Sequence, residues 1–208
     1  MDQPDNIFGQ PSFETEATGD YPTIDEGYYV GIMGRSYPSE TKANAYKMKV
    51  FEVLMLKKSK DGNPPVPILD YKMDGQKIVV ALRKNKSGEL ITESVIYKIN
   101  FVDIRDDQTQ NAKSFLTHQR RQFARRFNAF EEESGLIDWG KIQKSVGQIV
   151  SFNLNKAKDP RYVNMDFDTF GALEGQKADL ESVAEVYKTL DAINQGSGGG
   201  GTADDLPF

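Results

Sequence analysis

Residues 45–57 read AYKMKVFEVLMLK, and the pattern of side chains changes halfway along this stretch. Lys47 and Lys49 alternate with apolar residues at its start, as in a strand with one exposed face. From Phe51 to Leu56 the residues are almost all apolar, as in a strand that is buried on both faces. A strand that runs from a wet surface into a closed barrel has this pattern. The stretch therefore predicts a small β-barrel.

The flanking sequence predicts further short strands and two helices. Gly27–Arg35 alternates, and Gly31 and Gly34 allow the bulge that a small barrel needs. The other predicted strands are 76–83, 90–103, 146–154 and 161–167, and a helical period predicts helices at 109–133 and 177–194. Residues 57–75, which contain Pro64-Pro65 and Asp74-Gly75, are predicted to form a loop. This order predicts a mainly β fold, an OB-like barrel of five to six strands with one inserted α-helix, an additional C-terminal helix and a disordered acidic tail. An SH3-like barrel and a two-layer α+β sheet stay open as alternatives.

Charge and composition divide the chain into four predicted segments. They are an acidic N-terminal arm at 1–26, an OB-like nucleic-acid-binding domain at 27–170, a C-terminal helix at 171–194, and a Gly-rich tether with an acidic tip at 195–208. The first segment holds seven acidic and no basic residues. Residues 27–162 hold 24 basic and 15 acidic residues, whereas residues 163–208 hold two basic and nine acidic ones. A basic body between acidic ends indicates a polyanion-binding surface and segments that compete for it.

The composition disfavours several classes of protein. The chain has no cysteine and one histidine, His118, so we expect no disulfide, no metal site and no cofactor. Asp166 and Asp168 lack a third carboxylate at a suitable spacing for a metal. No apolar run is long enough for a membrane span, and the acidic start of the chain lacks the features of a secretory signal. We therefore expect a cytoplasmic protein that is not an enzyme and does not bind membranes.

The last residues join a glycine-rich run to an acidic, apolar tip. Residues 195–202 read QGSGGGGT, which predicts a flexible tether, and residues 203–208 read ADDLPF. This ending resembles the C-terminal tip of bacterial and phage single-stranded-DNA-binding proteins, in which a cluster of Asp precedes Ile or Leu and then Pro-Phe. The single Trp139 and the short tether are closer to the phage proteins of this class. The resemblance implies that replication or repair proteins bind the tip residues, which are Asp204, Asp205, Leu206, Pro207 and Phe208.

Binding of single strands without base preference needs cations for the phosphates and aromatic faces on which bases stack. Both residue types are interleaved in the predicted barrel, in the first two strands, the loop after the third, the inserted helix and the closing turn. The candidate DNA-binding residues are Tyr29, Arg35, Tyr37, Lys42, Tyr46, Lys47, Lys49, Phe51, Arg83, Lys84, Lys86, Arg120, Arg121, Arg125, Lys156, Lys158 and Arg161. On an OB barrel the face near the second and third strands is the usual binding surface, which favours Lys47, Lys49 and Phe51.

Each candidate also has a purely structural interpretation. Tyr28, Tyr97 and Phe101 fit the core better than a stacking surface, and Phe51 fits either role equally. The helix arginines fit a solvated helix face, part of which the acidic run 131–133 could neutralise.

Taken together, the sequence predicts a protein that binds and protects single-stranded DNA in replication, recombination or repair and recruits partners through its tip. A strand-annealing recombination mediator is the alternative, followed by a metal-dependent nuclease and an RNA-binding barrel. A homo-oligomer is compatible with any of these functions.

Overall fold

A computed structural model describes residues 24–40, 46–59, 64–157 and 163–196, and every structural statement below refers to them. The strands are β1 Gly27–Glu40, β2 Lys47–Ser59, β3 Val66–Pro67, β4 Leu69–Asp74, β5 Lys77–Leu82, β6 Ile96–Val102, β7 Gln148–Lys156 and β8 Val163–Ala178. The helices are α1 Gln110–Arg125, α2 Trp139–Gln143 and α3 Leu180–Gly196. The described chain is therefore mainly β, as the sequence predicts.

The strands form one sheet that nearly closes on itself. The hydrogen-bonded order is β3-β2-β1-β7-β8-β5-β4, and β6 pairs with the first half of β2. All pairs are antiparallel except β5 with β8. β3 pairs with the far end of β2 and continues into β4 through Ile68, whose N–H donates to the Leu56 carbonyl over 2.8 Å. The sheet thus returns to β2, and the barrel-shaped architecture predicted from the sequence is confirmed. This shape is compatible with an OB fold.

The two glycines of β1 allow it to bend around the barrel. The β1–β2 register shifts between Val30 and Gly31 and between Met33 and Ser36, so both predicted glycines lie at irregularities. A Cβ atom at Gly31 would lie 2.5 Å from a methyl carbon of Val53. A Cβ atom at Gly34 would lie 1.8 Å from the Tyr187 hydroxyl of α3. Any larger residue would force β2 or α3 away from β1.

Aromatic rings fill one part of the core. The Phe123 ring on α1 lies 5.4 Å from Phe51 and 5.0 Å from Phe101, measured between ring centroids. Phe170 of β8 lies 5.1 Å from Phe123, and Trp139 of α2 stacks on Phe51 at 5.9 Å. Helices α1 and α2 are therefore held against the barrel by rings that β2, β6 and β8 present to them.

Several elements differ from the sequence predictions, and the clearest cases are α1, β8 and β4. Helix α1 ends at Arg125 rather than near 133, because Asn128 takes a left-handed conformation (φ 51°) and residues 129–138 form a small hairpin bridged at Phe130 and Ile137. Strand β8 continues to Ala178, so the segment predicted as a helix from 171 begins as a strand and α3 starts at Leu180. Strand β4 lies where the sequence suggested a loop. Among the described helices, none combines the length and apolar character needed to cross a membrane.

Replacing Phe51 with alanine should strongly destabilise the protein, because this ring is 1% exposed and packs on the rings of Phe101, Phe123 and Trp139. We expect the free energy of unfolding to fall by about 3–5 kcal/mol. Phe115→Ala is the matched control, since its ring is 61% exposed on α1 and its loss should cost less than about 1 kcal/mol. Urea unfolding of both variants measures the difference, and equal losses would contradict the core role of Phe51.

Candidate nucleic-acid interface

Cations and aromatic rings meet at the end of the barrel where β2 begins and β6 ends. The Asp103 N–H donates to the Lys47 carbonyl over 2.9 Å, and Lys49 lies opposite Phe101 in the β2–β6 register. The set formed by Tyr46, Lys47, Lys49, Arg105, Arg120 and Trp139 is called the Lys49 patch below. Its members come from β2 and the residue before it, the β6–α1 connection, α1 and α2.

One face of β2 leads from the core of the barrel to solvent. Phe51 points into the core, and the half-buried indole of Trp139 stacks on it with an angle of 24° between the rings. The Lys49 ammonium lies 5.2 Å from the centroid of the Trp139 ring, in cation–π contact. Lys47, two residues earlier on the same face, is exposed. A stacking surface and two cations are thus placed side by side.

Trp139 was not among the residues that the sequence pattern selected. Asp138 caps α2 by accepting the Lys141 N–H over 3.1 Å, which fixes Trp139 as the first residue of this short helix. The signal in the sequence that could have pointed to Trp139 is a single tryptophan directly after an aspartate able to cap a helix. That signal identifies a helix start, but only the fold shows that this start lies beside β2.

Arg105 and Arg120 are held in place by neighbouring side chains and by a backbone carbonyl. The Arg105 guanidinium lies 4.0 Å from the Tyr46 ring centroid and forms an ion pair with Asp107. A hydrogen bond to Asp107 raises the pKa of Arg105 above its usual value. Arg120 donates to the Val102 carbonyl, and burial lowers the pKa of its guanidinium. Its buried Nε has no hydrogen-bond partner among the described residues.

Three predicted DNA-binding residues lie in the core instead, which corrects the sequence prediction. Tyr29 is fully buried and stacks on Phe152 at 6.0 Å, and Phe51 is 1% exposed. Arg83 is 4% exposed, donates to the Pro67 carbonyl over 2.7 Å and pairs with Asp70 at 3.6 Å. None of the three side chains is accessible to DNA in this fold.

Arg35 and Tyr37 belong to a polar network around the buried carboxylate of Glu52. The Arg35 Nε donates to the Glu52 carboxylate over 2.7 Å, and its Nη atoms donate to both oxygens of Asp191 on α3. The Tyr37 hydroxyl donates to Glu52 over 3.0 Å. The Tyr187 hydroxyl accepts the Arg35 N–H over 3.4 Å. Arg35 therefore anchors α3 to the barrel, and its charge is already matched by two carboxylates.

The remaining helix arginines lie over the small hairpin that follows α1. The guanidinium carbons of Arg121 and Arg125 lie 5.6 Å and 4.9 Å from the Phe130 ring centroid. Arg125 also forms a two-pronged ion pair with Glu132, so the acidic run neutralises part of this face. Both arginines are exposed, and this surface is less cationic than the sequence suggests.

Other candidates lie at the opposite end of β1. The start of β1 pairs with the end of β7, at Gly27 and Leu154, close to Lys156. The end of β1 pairs with the start of β2, at Glu40 and Lys47. The 14 residues of β1 separate these ends by roughly 40 Å along the strand, at about 3.3 Å per residue. Lys84 and Lys86 are exposed near the Lys156 end. Lys42, Lys158, Arg161 and the tip residues 204–208 lie outside the described residues.

In comparisons with known proteins, no family model, no curated protein and no solved structure matches the chain. Within the described ranges, no three His, Cys, Asp or Glu side chains come together as a set that could hold a metal ion.

The network around Glu52 should make stability sensitive to high pH. Burial, and then the negative charge of Glu52, raise the pKa of Tyr37 from 10.0 to about 12. Because the raised pKa favours the neutral phenol in the folded state, this contribution is complete below pH 10 and is lost as the pH rises towards 12. We expect the free energy of unfolding of wild type to fall more steeply over this range than that of Tyr37→Phe. Identical slopes in urea unfolding would contradict this role.

Proposed function

We propose that the chain binds single-stranded DNA without base preference and protects it during replication, recombination or repair. The observation that carries this proposal is the contact of Lys49 with Trp139 beside the exposed Lys47. Phosphate-binding cations and a ring suited to base stacking are the two components that such binding needs. They lie at one end of a barrel compatible with an OB fold.

The geometry suggests how a strand would engage the patch. A phosphate near Lys47 and Lys49 would attract the Lys49 ammonium away from the indole, and the freed face of Trp139 could then accept a base. Stacking of one base is worth about 1–3 kcal/mol. The Tyr46 ring, which Arg105 covers, packs against Met48 and Val50 on the other face of β2 and offers a separate stacking position there. In the absence of DNA, Lys49 therefore covers the Trp139 ring and Arg105 covers the Tyr46 ring.

The segment Asp204–Phe208 supports the same proposal from the sequence, through its resemblance to the tips of single-stranded-DNA-binding proteins. We propose that this segment recruits replication or repair proteins. Its aspartates would also compete with DNA for the cations of the barrel when no strand is bound.

Neutralising the two lysines of β2 tests the site directly. Each phosphate contact contributes about 0.7 to the slope of log affinity against log salt for a single strand, so Lys47→Gln with Lys49→Gln should reduce the slope by about 1.4. Lys177→Gln with Lys188→Gln removes two charges elsewhere and should leave the slope nearly unchanged. Titrations of labelled oligo-dT at several salt concentrations, with matched RNA and double-stranded DNA, give these slopes.

The single tryptophan provides a second readout in the same titrations. Stacking on Trp139 should quench its fluorescence as oligo-dT is added, and the quenching should saturate together with binding. An equal reduction of the salt slope in the two double-lysine variants would contradict the proposed site. Oligo-dT binding without any change in Trp139 fluorescence would contradict it too. Absence of any oligo-dT binding at modest ionic strength would contradict the proposed function itself.

Removing residues 203–208 tests the role of the tip. Because the tip would compete for the same cations, its removal should raise the affinity for oligo-dT at low salt by about three- to tenfold, and the gain should disappear as salt screens the charges. A full-length variant with Asp204→Asn and Asp205→Asn should reproduce most of this gain. If both proteins bind as wild type does, the tip does not compete with DNA.

A further inference from the structure

The last two acidic residues of the N-terminal arm are ion-paired with lysines of the barrel. Asp25 pairs with Lys58 of β2, and Glu26 pairs with Lys156 of β7 at 3.4 Å. Ile24 packs against the main core. The chain therefore enters the barrel at a fixed place, with β2 on one side of β1 and β7 on the other.

Four lysines are gathered at this end of the barrel. Lys58 lies opposite Val66 in the β2–β3 register, and the neighbouring Pro67 accepts a hydrogen bond from Arg83. Arg83 leads directly into the exposed loop that carries Lys84 and Lys86. Lys156 lies on the other side, at the end of β7. The set Lys58, Lys84, Lys86 and Lys156 is called the Lys156 surface below.

The loop that presents Lys84 and Lys86 is well ordered by its own hydrogen bonds. The Asn85 side-chain oxygen accepts the N–H groups of Ser87 and Glu89 over 3.0 and 2.9 Å. The Glu89 carboxylate in turn accepts from the Asn85 amide and from the Ser87 hydroxyl. Within the described ranges, neither Glu89 nor another carboxylate forms an ion pair with Lys84 or Lys86. Both ammonium groups are thus available to an anion.

The preceding residues have the complementary charge. Residues 1–23 contain five acidic residues and no basic ones, and their apolar side chains include Phe8 and Phe13. The arm is long enough to reach all four lysines of the Lys156 surface, because 23 residues can span up to roughly 75 Å when extended. The surface is only a few strands wide, at about 4.8 Å per strand.

We propose that residues 1–23 dock on the Lys156 surface of the same chain and neutralise it. The pairs at Asp25 and Glu26 are the first contacts of this interaction, and the acids further along the arm extend it to Lys84 and Lys86. A polyanion is then excluded from this end of the barrel and directed to the Lys49 patch. That last consequence rests on the proposed function, whereas the docking of the arm does not.

Carbodiimide cross-linking of the full chain without DNA tests the docking. This reagent joins carboxylates to lysines that are in ionic contact, and mass spectrometry identifies the joined residues. We expect links from Asp2, Asp5, Glu14, Glu16 or Asp20 to Lys84, Lys86 or Lys156, and we expect high salt to abolish them. Links to Lys47 or Lys49, or an absence of links, would overturn the proposal. In a mixture of isotopically light and heavy chains, links formed only between copies would overturn it too, because a second copy would then supply the arm.

Charge-neutral variants give an independent measurement. The arm variant carries Asp2→Asn, Asp5→Asn, Glu14→Gln, Glu16→Gln and Asp20→Asn. The control variant loses the same charge at exposed positions elsewhere, through Asp74→Asn, Glu131→Gln, Glu133→Gln, Glu181→Gln and Glu185→Gln. Acetylation of Lys84 and Lys86, relative to Lys177, should rise by about threefold in the arm variant alone. An equal rise in both variants, or in neither, would overturn the docking.

The same variants separate this proposal from the proposed function. If the arm docks and the barrel binds DNA, the arm variant should bind oligo-dT with a steeper salt dependence than the control variant. Cross-links to the Lys156 surface in a protein that ignores oligo-dT would support the docking and refute the proposed function. Oligo-dT binding without those cross-links would support the proposed function and refute the docking of the arm.

Discussion

The close approach of β1 to its neighbours is the constraint on which the rest of the structure depends. Within the described sheet, β1 joins β2 to β7 and so links the two halves of the barrel. Gly31 brings β1 against Val53, and Gly34 makes room for the Tyr187 hydroxyl of α3. The same bend places Arg35 between Glu52 and Asp191. Closure of the barrel and attachment of the last helix therefore depend on two positions that cannot carry a side chain.

The core and the Lys49 patch are continuous rather than separate. Phe51 and Trp139 are in stacking contact, so the indole of the Lys49 patch packs on a phenyl ring that belongs to the core. Such support holds the indole in one orientation and lowers the cost of ordering it on binding. It also means that substitutions deep in the barrel can change the surface of the patch without touching it.

Strands and helices with regular side-chain patterns were predictable from the sequence. Positions whose role depends on a partner distant in sequence were not. Period-two alternation placed Lys47, Lys49 and Phe51 on one face of β2, which is correct, but it could not show where along the strand the barrel interior begins. The partner of Arg35 on α3 is 156 residues away, and no local pattern announces such a pair. Arg83 resembled a surface cation until the fold placed the Pro67 carbonyl and Asp70 beside it. Strand β4 was missed because nearby prolines and the Asp74-Gly75 turn resemble a loop.

The parallel pairing of β5 with β8 has a consequence for how the chain folds. It joins Lys77 to Lys177 and Ile78 to Ala178, residues that are far apart in sequence. Loop-closure entropy makes such distant pairings form late, whereas the β1–β2 and β4–β5 hairpins can form early from local contacts. During synthesis on the ribosome, β5 is complete long before β8 has been made. Until then the start of β5 lacks the two residue pairs that β8 supplies, and an unpaired strand edge can pair with another chain.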